Sequence, residues 1–496
     1  MKTEPLKSTK TVLWLLLVFS TGWLPAVAQS EKGGTGMSTG LPEVEIINQT
    51  FLGNWKRNYY GEHAPDTLGV IWKHYLGKGE TVISRNLGSR EWEGAGWTGQ
   101  PLLTRENGEL YLLQGAYDHH LKKIRATTGE LVWQYRFDDV IKGTGTLWSN
   151  DRDTVAGHRW IILQGSRLGT HHFLDADRVF SYRGVSYLTG RELWRHNVKH
   201  TQSYSRDVDG SAIVFRDTAY IGLENSLFTI FDPDPDSGFV IDSFRHPRLH
   251  DQHLLYRPDD VMLHRHNVVT ESSPAMLGRM IYITSGSGHV WGFDMDRNAL
   301  VWDFYTGADM DGSPVVTADS CLLVTVEKQY IEGRGGVLKL DPSKPPEDAV
   351  VWFFPVEDVD SEAVSWEGGV IGSAAVTDHY NDYRLAAWMA IDGSLYVVRH
   401  DRLSNDPVVG FDGKTKYPAP ELVYRHETGV SISTPVFTDR HLVACSYEGI
   451  HLFSYTGDGE FTLLDHRPYV VEATPFVYQD RIYIASRNGY LYCLGR

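Results

Sequence analysis

Cysteine is almost absent from this chain of 496 residues, which has only Cys321, Cys445 and Cys493. The three lie far apart, each inside an apolar strand-like pattern, so we expect buried small side chains. No disulfide framework, redox pair or zinc site fits this spacing. Helical periodicity is also scarce, since no long stretch repeats its apolar residues at the interval of an amphipathic helix. Disulfide scaffolds and helical folds are thereby excluded.

Basic charge is in short supply as well. The chain has 47 Lys and Arg against 63 Asp and Glu, a formal net charge of −16. This balance argues against non-specific binding to nucleic acid or to an anionic membrane, and it favours cations and basic or neutral partners. The phosphate-binding loop, the Gly-x-Ser-x-Gly elbow, the His-Glu-x-x-His helix and the kinase motifs are all missing from the sequence.

One long apolar run stands out, and it lies at the N-terminus. Residues 11–24 form an apolar run, interrupted at Ser20-Thr21-Gly22, that follows three lysines and precedes Ala26-Val27-Ala28. A basic start, a short apolar stretch and small residues at a cleavage position predict a signal peptide over residues 1–28, with an uncleaved anchor as the alternative. We therefore expect an exported protein, periplasmic or secreted, that does not span the membrane. Residues 29–67 are predicted to be a flexible leader, because they begin rich in Gly, Ser and Thr.

What the chain has instead is a repeat. A Gly-Ser/Thr-Pro element or a close variant recurs at intervals of 40 to 65 residues. Each interval accommodates one four-stranded sheet that buries its faces only against neighbouring copies. The repeat predicts an all-β fold, an eight-bladed β-propeller of four-stranded antiparallel blades over residues 68–496. The eight copies end at Pro101, Leu147, Ala212, Pro274, Pro314, Ala374, Pro435 and Pro475.

The two ends of this array are complementary. A closing strand around Trp72 has no opening strands before it, while the last repeat, after Pro475, has three strands and no fourth. The N-terminal strand is therefore predicted to complete the C-terminal blade and close the ring, which removes exposed sheet edges. Residues 242–267 fit no strand pattern and are predicted to be an insertion, with Phe239-Val240-Ile241 as the closing strand of the third blade.

The closing strands carry a family signature. The segments Ala126-Thr127-Thr128-Gly129-Glu130-Leu131-Val132-Trp133 and Leu188-Thr189-Gly190-Arg191-Glu192-Leu193-Trp194 resemble the tryptophan-docking repeat of quinoprotein-like (PQQ-like) propellers. In this reading each indole covers the gap between two blades and donates its N–H to the backbone. The resemblance implies a fold but several roles, from quinone-dependent dehydrogenases to the scaffold propeller of outer-membrane protein assembly. The predicted docking tryptophans are Trp72, Trp133, Trp194, Trp302 and Trp352.

Acidic residues cluster just ahead of the repeated element, where innermost strands begin and line a central funnel. Carboxylates that converge there can bind a hard cation or attract a basic partner segment. We predict a calcium site at Asp209, Glu271 and Asp311. The alternative is that these residues only cap polar turns. The candidate funnel residues are Asp207, Asp209, Glu271, Asp309, Asp311 and Glu472.

Two enzymatic readings stand beside a binding role. A dehydrogenase of this family would use calcium and the quinone PQQ. Most such enzymes share a disulfide between adjacent cysteines, which this sequence lacks. A polysaccharide lyase would pair His with Tyr, by residue type His158 and Tyr204 together with Arg167 and Arg206. The insertion also has five histidines, at 246, 250, 253, 264 and 266. We predict a binding or scaffold module acting through its funnel face, with another protein or an extracellular carbohydrate as partner.

Overall fold

The computed structural model describes residues 40–84, 87–168, 177–359 and 366–496, which fold almost entirely as β-strands. The signal peptide predicted at residues 1–28 and the leader up to residue 39 lie outside the described residues. Five strands precede the first complete blade, and β4 pairs with β5 as a separate hairpin. They are β1 (Val44–Asn48), β2 (Gly61–Glu62), β3 (Gly69–Tyr75), β4 (Lys78–Ser84) and β5 (Gly88–Glu93).

The first four blades are antiparallel sheets whose middle strands are almost wholly buried, whereas exposed side chains are concentrated on the outermost strands. Blade 1 is β6 (Leu102–Glu106), β7 (Glu109–Gly115), β8 (His120–Arg125) and β9 (Leu131–Arg136). Blade 2 is β10 (Thr146–Ser149), β11 (Trp160–Gly165), β12 (Tyr182–Ser186) and β13 (Glu192–His196). Blade 3 is β14 (Ile213–Phe215), β15 (Thr218–Gly222), β16 (Leu227–Asp232) and β19 (Arg248–Leu254), around the hairpin β17 (Phe239–Ile241) and β18 (Phe244–His246). Blade 4 is β20 (Ala275–Leu277), β21 (Met280–Ser285), β22 (His289–Asp294) and β23 (Ala299–Tyr305).

The remaining four blades repeat this order, and the eight-bladed ring predicted from the repeat is confirmed. Blade 5 is β24 (Val315–Val316), β25 (Leu322–Val326), β26 (Gly336–Leu340) and β27 (Val350–Pro355). Blade 6 is β28 (Ala375–Val376), β29 (Leu385–Met389), β30 (Ser394–Leu403) and β33 (Pro420–Glu427), around the hairpin β31 (Val408–Val409) and β32 (Lys416–Tyr417). Blade 7 is β34 (Val436–Phe437), β35 (His441–Cys445), β36 (Ile450–Tyr455) and β37 (Phe461–Arg467). Blade 8 is β38 (Phe476–Tyr478), β39 (Arg481–Ala485) and β40 (Tyr490–Gly495), completed by β3.

The chain's two ends close the ring in the way the sequence predicts. Strand β3 pairs antiparallel with β40, from Gly69 opposite Gly495 to Tyr75 opposite Tyr490. Blade 8 thereby gains its fourth strand from the N-terminal part of the chain. The ladder leaves no open gap between the first and last blades, so the sheet edges that an open array would expose are paired.

Tryptophans of the closing strands join neighbouring blades. Each of the five indoles donates its N–H to a backbone carbonyl roughly one blade further along the chain, at 2.8–3.0 Å. The ring of each indole packs over the seam, while its only polar atom is satisfied. The pairs are Trp72 with Ala126, Trp133 with Tyr187, Trp194 with Pro233, Trp302 with Lys344, and Trp352 with His400.

The repeated Ser/Thr forms a belt of hydrogen bonds around the channel. The backbone N–H of one repeat donates to the hydroxyl of the next, as in Ser211 to Ser273 and Ser273 to Ser313, both at 2.8 Å. Ser313 donates in the same way to Ser373, and Ser373 to Thr434. Because a hydroxyl can accept there without a long side chain, Ser or Thr recurs at this position. We call this ring the hydroxyl belt.

Residues 44–62 fill the channel beyond the hydroxyl belt, and we call them the N-terminal plug. Strand β1 pairs with β6 of blade 1, and β2 pairs in parallel with β38 of blade 8. Between them the carbonyls of Gln49, Trp55 and Lys56 accept from the inner strands of blades 2, 4 and 5. This corrects the expectation of a flexible leader up to residue 67: the plug pairs with inner-strand groups that otherwise have no partner.

Arg57 anchors the plug, with no exposed surface. Its guanidinium donates to the carbonyls of Pro274 (2.8 Å), Phe51 (2.7 Å) and Ser211 (3.2 Å), and so joins the entries of blades 3 and 4. Phe51, Leu52 and Tyr60 are equally buried, in the apolar core shared with blades 6 to 8. The channel is therefore blind at this end, and the opposite mouth is its opening.

The predicted insertion at 242–267 contains the true closing strand of blade 3. Strand β19 pairs with β16, whereas Phe239-Val240-Ile241, predicted to close that blade, forms β17 of a separate hairpin. The sequence pattern was misleading because β19 carries histidines and no tryptophan. Helix α1 (Pro258–Leu263) ends the insertion, and short 3-10 turns occur at Ala156–His158, Pro235–Ser237 and Pro346–Asp348. Within the described ranges, no helix has the length and apolar character to cross a membrane.

Candidate functional site

Carboxylates from blades 3 to 5 gather at the open end of the channel. Asp209, Glu271 and Asp311 each stand two residues ahead of the hydroxyl belt, so the inner strands of blades 3, 4 and 5 are each preceded by a carboxylate at the mouth. Two cavities of about 210 and 250 Å³ adjoin there and share Tyr204 and Glu271. We call the carboxylates of these cavities the acidic mouth: Asp207, Asp209, Glu224, Glu271, Asp309, Asp311 and Glu327.

The first cavity holds four carboxylates together with both cations of the mouth. Asp209, Glu224 and Glu271 each place an oxygen within 4.8 Å of the other two. Lys142 forms an ion pair with Asp209, and Arg167 lies 3.4 Å from Asp207. One ammonium and one guanidinium thus face four carboxylates, so the cavity keeps an excess of negative charge.

The second cavity has carboxylates and no cation. Asp309, Asp311 and Glu327 line it with Glu271, and neither Lys nor Arg is among the lining residues. The amide of Asn267 donates to Asp309 at 2.6 Å. Across both cavities seven carboxylates therefore face two cations. A charge excess of this size in a recess attracts cations and raises their local concentration.

Burial and mutual repulsion raise the pKa values of several of these carboxyls. Burial, with the charge of Lys142 opposing it, raises the pKa of Asp209 to about 6. The pKa of Glu224 is raised well above its usual value, first by burial and then by Asp209 and Asp207. Burial and neighbouring carboxylates likewise raise the pKa values of Asp309 and Asp311. A bound cation would release these protons, since it stabilises the ionised forms.

Several oxygens of the mouth have no hydrogen-bond partner. Asp209 Oδ1, Glu224 Oε1 and Asp309 Oδ1 are buried and unpartnered among the described residues. A buried polar atom without a partner is costly, and such atoms in a native fold call for an explanation. Oxygen ligands from Asp209, Glu224 and Glu271 could hold a hard divalent cation such as calcium.

The opposite wall of the mouth is apolar. Trp97, Ile371 and Ile432 form a buried cluster, against which Trp366 packs. Trp366 also lines the cation-free cavity, so the indole connects the two walls. The indole N–H of Trp97 is buried without a partner. The mouth therefore offers negative charge on one side and aromatic and aliphatic surface on the other.

Five of the six predicted funnel carboxylates belong to the acidic mouth, and one does not. Glu472 pairs instead with Arg487 at 2.8 Å and accepts from Tyr447 at 3.1 Å. Of the predicted calcium set, Asp209 and Glu271 lie together, whereas Asp311 lies in the second cavity.

Sequence reasoning missed Glu224 and Glu327. Both follow second strands, β15 and β25, in equivalent positions of blades 3 and 5. An alignment of the repeats at their second strands would have exposed these two residues.

The residue types expected of a lyase are not assembled in one place. Tyr204 and Arg167 line the first cavity. His158 instead lies 3.0 Å from Asp153, in a surface group with Asp236, and Arg206 donates to the carbonyl of Val198. The five histidines of the insertion belong to neither of the two potential metal-binding groups found among the described residues. His158 and Tyr204 therefore do not line a common cavity.

The residues of the mouth do not fit PQQ. That quinone carries three carboxylates, and the cavities present seven carboxylates against two cations. Repulsion of like charges in a recess opposes its entry. Cys321, Cys445 and Cys493 are free and buried, each in a different blade, so no disulfide floor lies in the funnel. The cation-free cavity suits a positively charged ligand.

Comparison with known proteins places the chain among PQQ-like propellers. The family model described as outer membrane protein assembly factor BamB matches residues 64–344. The crystal structure of BamB from Moraxella catarrhalis is similar, with a TM-score of 0.52, 13% identity, and coverage of 86% of this chain and 100% of that one. The quinohemoprotein alcohol dehydrogenase from Comamonas testosteroni gives a TM-score of 0.56, 13% identity, and coverage of 91% and 80%. At this identity the two structures show the fold alone, and no curated protein sequence matches.

Proposed function

This chain belongs to the family described as outer membrane protein assembly factor BamB, and we propose that it is a binding or scaffold propeller whose acidic mouth receives a basic segment of a partner protein. The observation that carries the proposal is that, among the described residues, seven carboxylates face two cations at the open end of the channel. A segment with Lys or Arg beside apolar residues matches both walls, because Trp366 and Trp97 lie opposite the carboxylates. Charge complementarity of this kind speeds association and selects the partner.

We also propose that the chain is exported before it folds. The basic start, apolar run and Ala-Val-Ala site of residues 1–28 support a cleaved signal peptide. The periplasm or the extracellular space would then be where the propeller meets its partner. The buried, unpaired cysteines are compatible with such a compartment, since none is exposed to oxidation.

Binding of a designed peptide tests the funnel role. We expect a peptide of alternating Lys and Leu to bind the purified propeller, and a Glu and Leu peptide of the same length not to bind. Raising the salt concentration from 50 to about 500 mM should weaken the complex markedly, because exposed charges are screened. Titration calorimetry measures both.

Matched variants locate the contact. The double variant Asp311→Asn with Glu327→Gln should weaken binding of the Lys and Leu peptide at least about tenfold, because two carboxylates of the cation-free cavity are lost. Glu347→Gln with Asp348→Asn, on an exposed turn, removes the same charge elsewhere and should change nothing. Equal binding of both peptides, or equal loss in both variants, would contradict the proposal.

A divalent cation is a second candidate ligand for the same mouth. The unpartnered oxygens of Asp209 and Glu224, within 4.8 Å of Glu271, favour it. Calcium at millimolar concentration should raise the melting temperature of the wild type, because a ligand that binds only the folded state stabilises it. Glu224→Gln should abolish this rise, whereas Glu448→Gln on the surface should preserve it. An unchanged melting temperature in the wild type would remove calcium from consideration.

Two activity assays separate the enzymatic alternatives from binding. A quinone-dependent dehydrogenase, reconstituted with PQQ and calcium, would reduce an artificial dye with alcohols or sugars. A lyase would generate ultraviolet absorbance from unsaturated uronates. We expect neither signal, since the mouth repels an anionic quinone and His158 lies away from Tyr204.

A further inference from the structure

An aromatic groove on the rim of blades 2 and 3 lies apart from the acidic mouth. The hairpin of β17 and β18 leans on blade 2, so that Phe239 and Ile241 face Phe180 and Leu249 across a cavity of about 280 Å³. Ligand pockets in proteins begin at about 300 Å³. At about 280 Å³ the groove lies just below that lower limit, so it suits only a small ligand.

The apolar walls of the groove remain exposed. Phe239 is 50% exposed and Ile241 44%, and Phe244 on the neighbouring strand is 39% exposed. Three large apolar side chains on one short hairpin form a contiguous patch, and such patches on soluble proteins mark binding sites. Phe180 approaches Phe244 at 6.3 Å between ring centroids, so the hairpin is held against blade 2 by aromatic packing.

The charge of the groove is opposite to that of the whole chain. Arg178 and Lys199 line it, and no carboxylate does. Arg178 has an ion pair with Asp242 at the rim, while Lys199 has no carboxylate partner among the described residues. In a chain with a net charge of −16, this local excess of cations favours an anionic ligand.

Two buried imidazole nitrogens also lack partners in the groove. His196, 6% exposed, and His246 both line the cavity, and the Nε2 atom of each makes no hydrogen bond within the described ranges. Burial lowers the pKa of His196 to about 4, so the ring is neutral there. A neutral imidazole can donate one hydrogen bond, and an acceptor on a ligand would satisfy it.

We propose that this groove binds a small apolar carboxylate, with the carboxylate against Lys199 and the apolar body between Phe239 and Phe180. The imidazole of His196 supplies a further hydrogen bond to the ligand's oxygens. Small amphipathic acids, such as medium-chain fatty acids, have this chemistry. The exposed aromatic hairpin, the cations and the unpartnered nitrogens are then parts of one site.

Dye displacement on the purified full chain tests this assignment. The probe is anilinonaphthalene sulfonate, an aromatic anion whose fluorescence rises in apolar sites. We expect saturable enhancement that decanoate displaces and decylammonium, of equal chain length, does not. Equal displacement by the two would overturn the proposal, because a purely apolar surface does not distinguish their charges.

Point variants connect the signal to the groove. Lys199→Glu should weaken decanoate at least about tenfold, since a charged hydrogen bond becomes a repulsion, and Phe239→Ser should remove most of the fluorescence. The control variants are Lys416→Glu and Met262→Ser, which change an exposed lysine and an exposed apolar residue outside the groove. Both controls should leave decanoate binding and dye fluorescence unchanged. Wild-type behaviour of a folded Lys199→Glu variant would refute the site, and circular dichroism establishes that each variant is folded.

Discussion

Arg57 is a buried cation without an ion-pair partner among the described residues. Its pKa is lowered to about 9 by burial, and backbone carbonyls of blades 3 and 4 and of the plug supply its hydrogen bonds. A guanidinium has five donors in a fixed plane, which lets one side chain serve several carbonyls at once. Arg57 thus acts as a junction between the plug and the ring.

We predict that Arg57→Ala lowers the free energy of unfolding by at least about 3 kcal/mol, because buried carbonyls lose their donor and a cavity forms. Urea unfolding followed by tryptophan fluorescence measures the loss. Arg334→Ala, at a half-exposed position, should cost less than about 1 kcal/mol. Similar effects of the two substitutions would show that the plug contributes little.

Carboxyls of the acidic mouth should make stability depend on pH. A carboxyl whose pKa is raised by folding holds its proton longer in the folded chain, so stability is full at low pH and falls as the pH rises from the unfolded pKa to the folded one. For Asp209 the window runs from about 4 to about 6. At about 1.4 kcal/mol for each pKa unit, the fall is about 3 kcal/mol.

Glu224→Gln should therefore stabilise the propeller at pH 8 by about 1–3 kcal/mol, since a buried charge is removed. At pH 3 the variant and the wild type should be nearly equal, because this pH lies below the pKa of an unfolded Glu and Glu224 is then protonated in both states. Urea midpoints at the two pH values measure the difference, with Glu448→Gln as the surface control. Destabilisation at pH 8 would mean that the ionised Glu224 is already compensated.

For individual residues of the acidic mouth, the sequence predicted some positions and missed others. Asp209 and Glu271 were found because they precede a recognisable element, the Ser/Thr of the hydroxyl belt. Glu472 precedes the same element, but it forms an ion pair with Arg487. No local sequence pattern predicts this partner in the next hairpin. The position of a carboxylate follows from the repeat, whereas its pairing depends on tertiary contacts.

Among the elements, strand β2 depends on one glycine. Gly61 has a φ of +105°, and a Cβ there would lie 1.5 Å from the carbonyl oxygen of Val477. Both the backbone conformation and the contact with β38 require a residue without a side chain. The parallel pairing of plug and blade 8 is thus tied to Gly61.

We predict that Gly61→Ala costs about 2–4 kcal/mol, since the ladder between β2 and β38 must separate. Gly108→Ala is the matched control, because Gly108 also has a positive φ, +88°, but nothing lies within 4 Å of its Cβ position. In that variant the free energy of unfolding should fall by only about 1 kcal/mol, because only backbone strain is added. Thermal melting of both chains measures the difference, and equal losses would contradict a steric origin.

Element prediction succeeded where periodicity was strong and failed where pairing was non-local. The closing strand around Trp72 was recognised because it shares a pattern with four other strands. The plug escaped because β1 is short, and its order comes from inner strands distant in sequence. Strand β19 escaped because it carries polar residues where a tryptophan was expected.

On the scale of the whole molecule, the longest ladder that joins the two ends of the chain is the one between β3 and β40. We predict that a disulfide replacing the cross-strand pair Tyr75 and Tyr490 raises stability by up to about 5 kcal/mol, because it closes a loop of nearly the whole chain. Comparing the melting temperature of the oxidised and reduced double-cysteine variant isolates the crosslink. No difference between the two forms would mean that unfolding begins elsewhere in the ring.

The N-terminal plug also has a consequence for the order of folding. Tyr60 is synthesised long before Val477. In the finished ring, the backbone carbonyl of Tyr60 accepts a hydrogen bond from the N–H of Val477 at 3.1 Å. Contacts so distant in sequence slow folding, since a long loop must close before they form. The plug is present from the start, however, as a strand on which successive blades can align. We therefore expect the plug, which precedes all eight blades in the chain, to serve as a template for the ring that later encloses it.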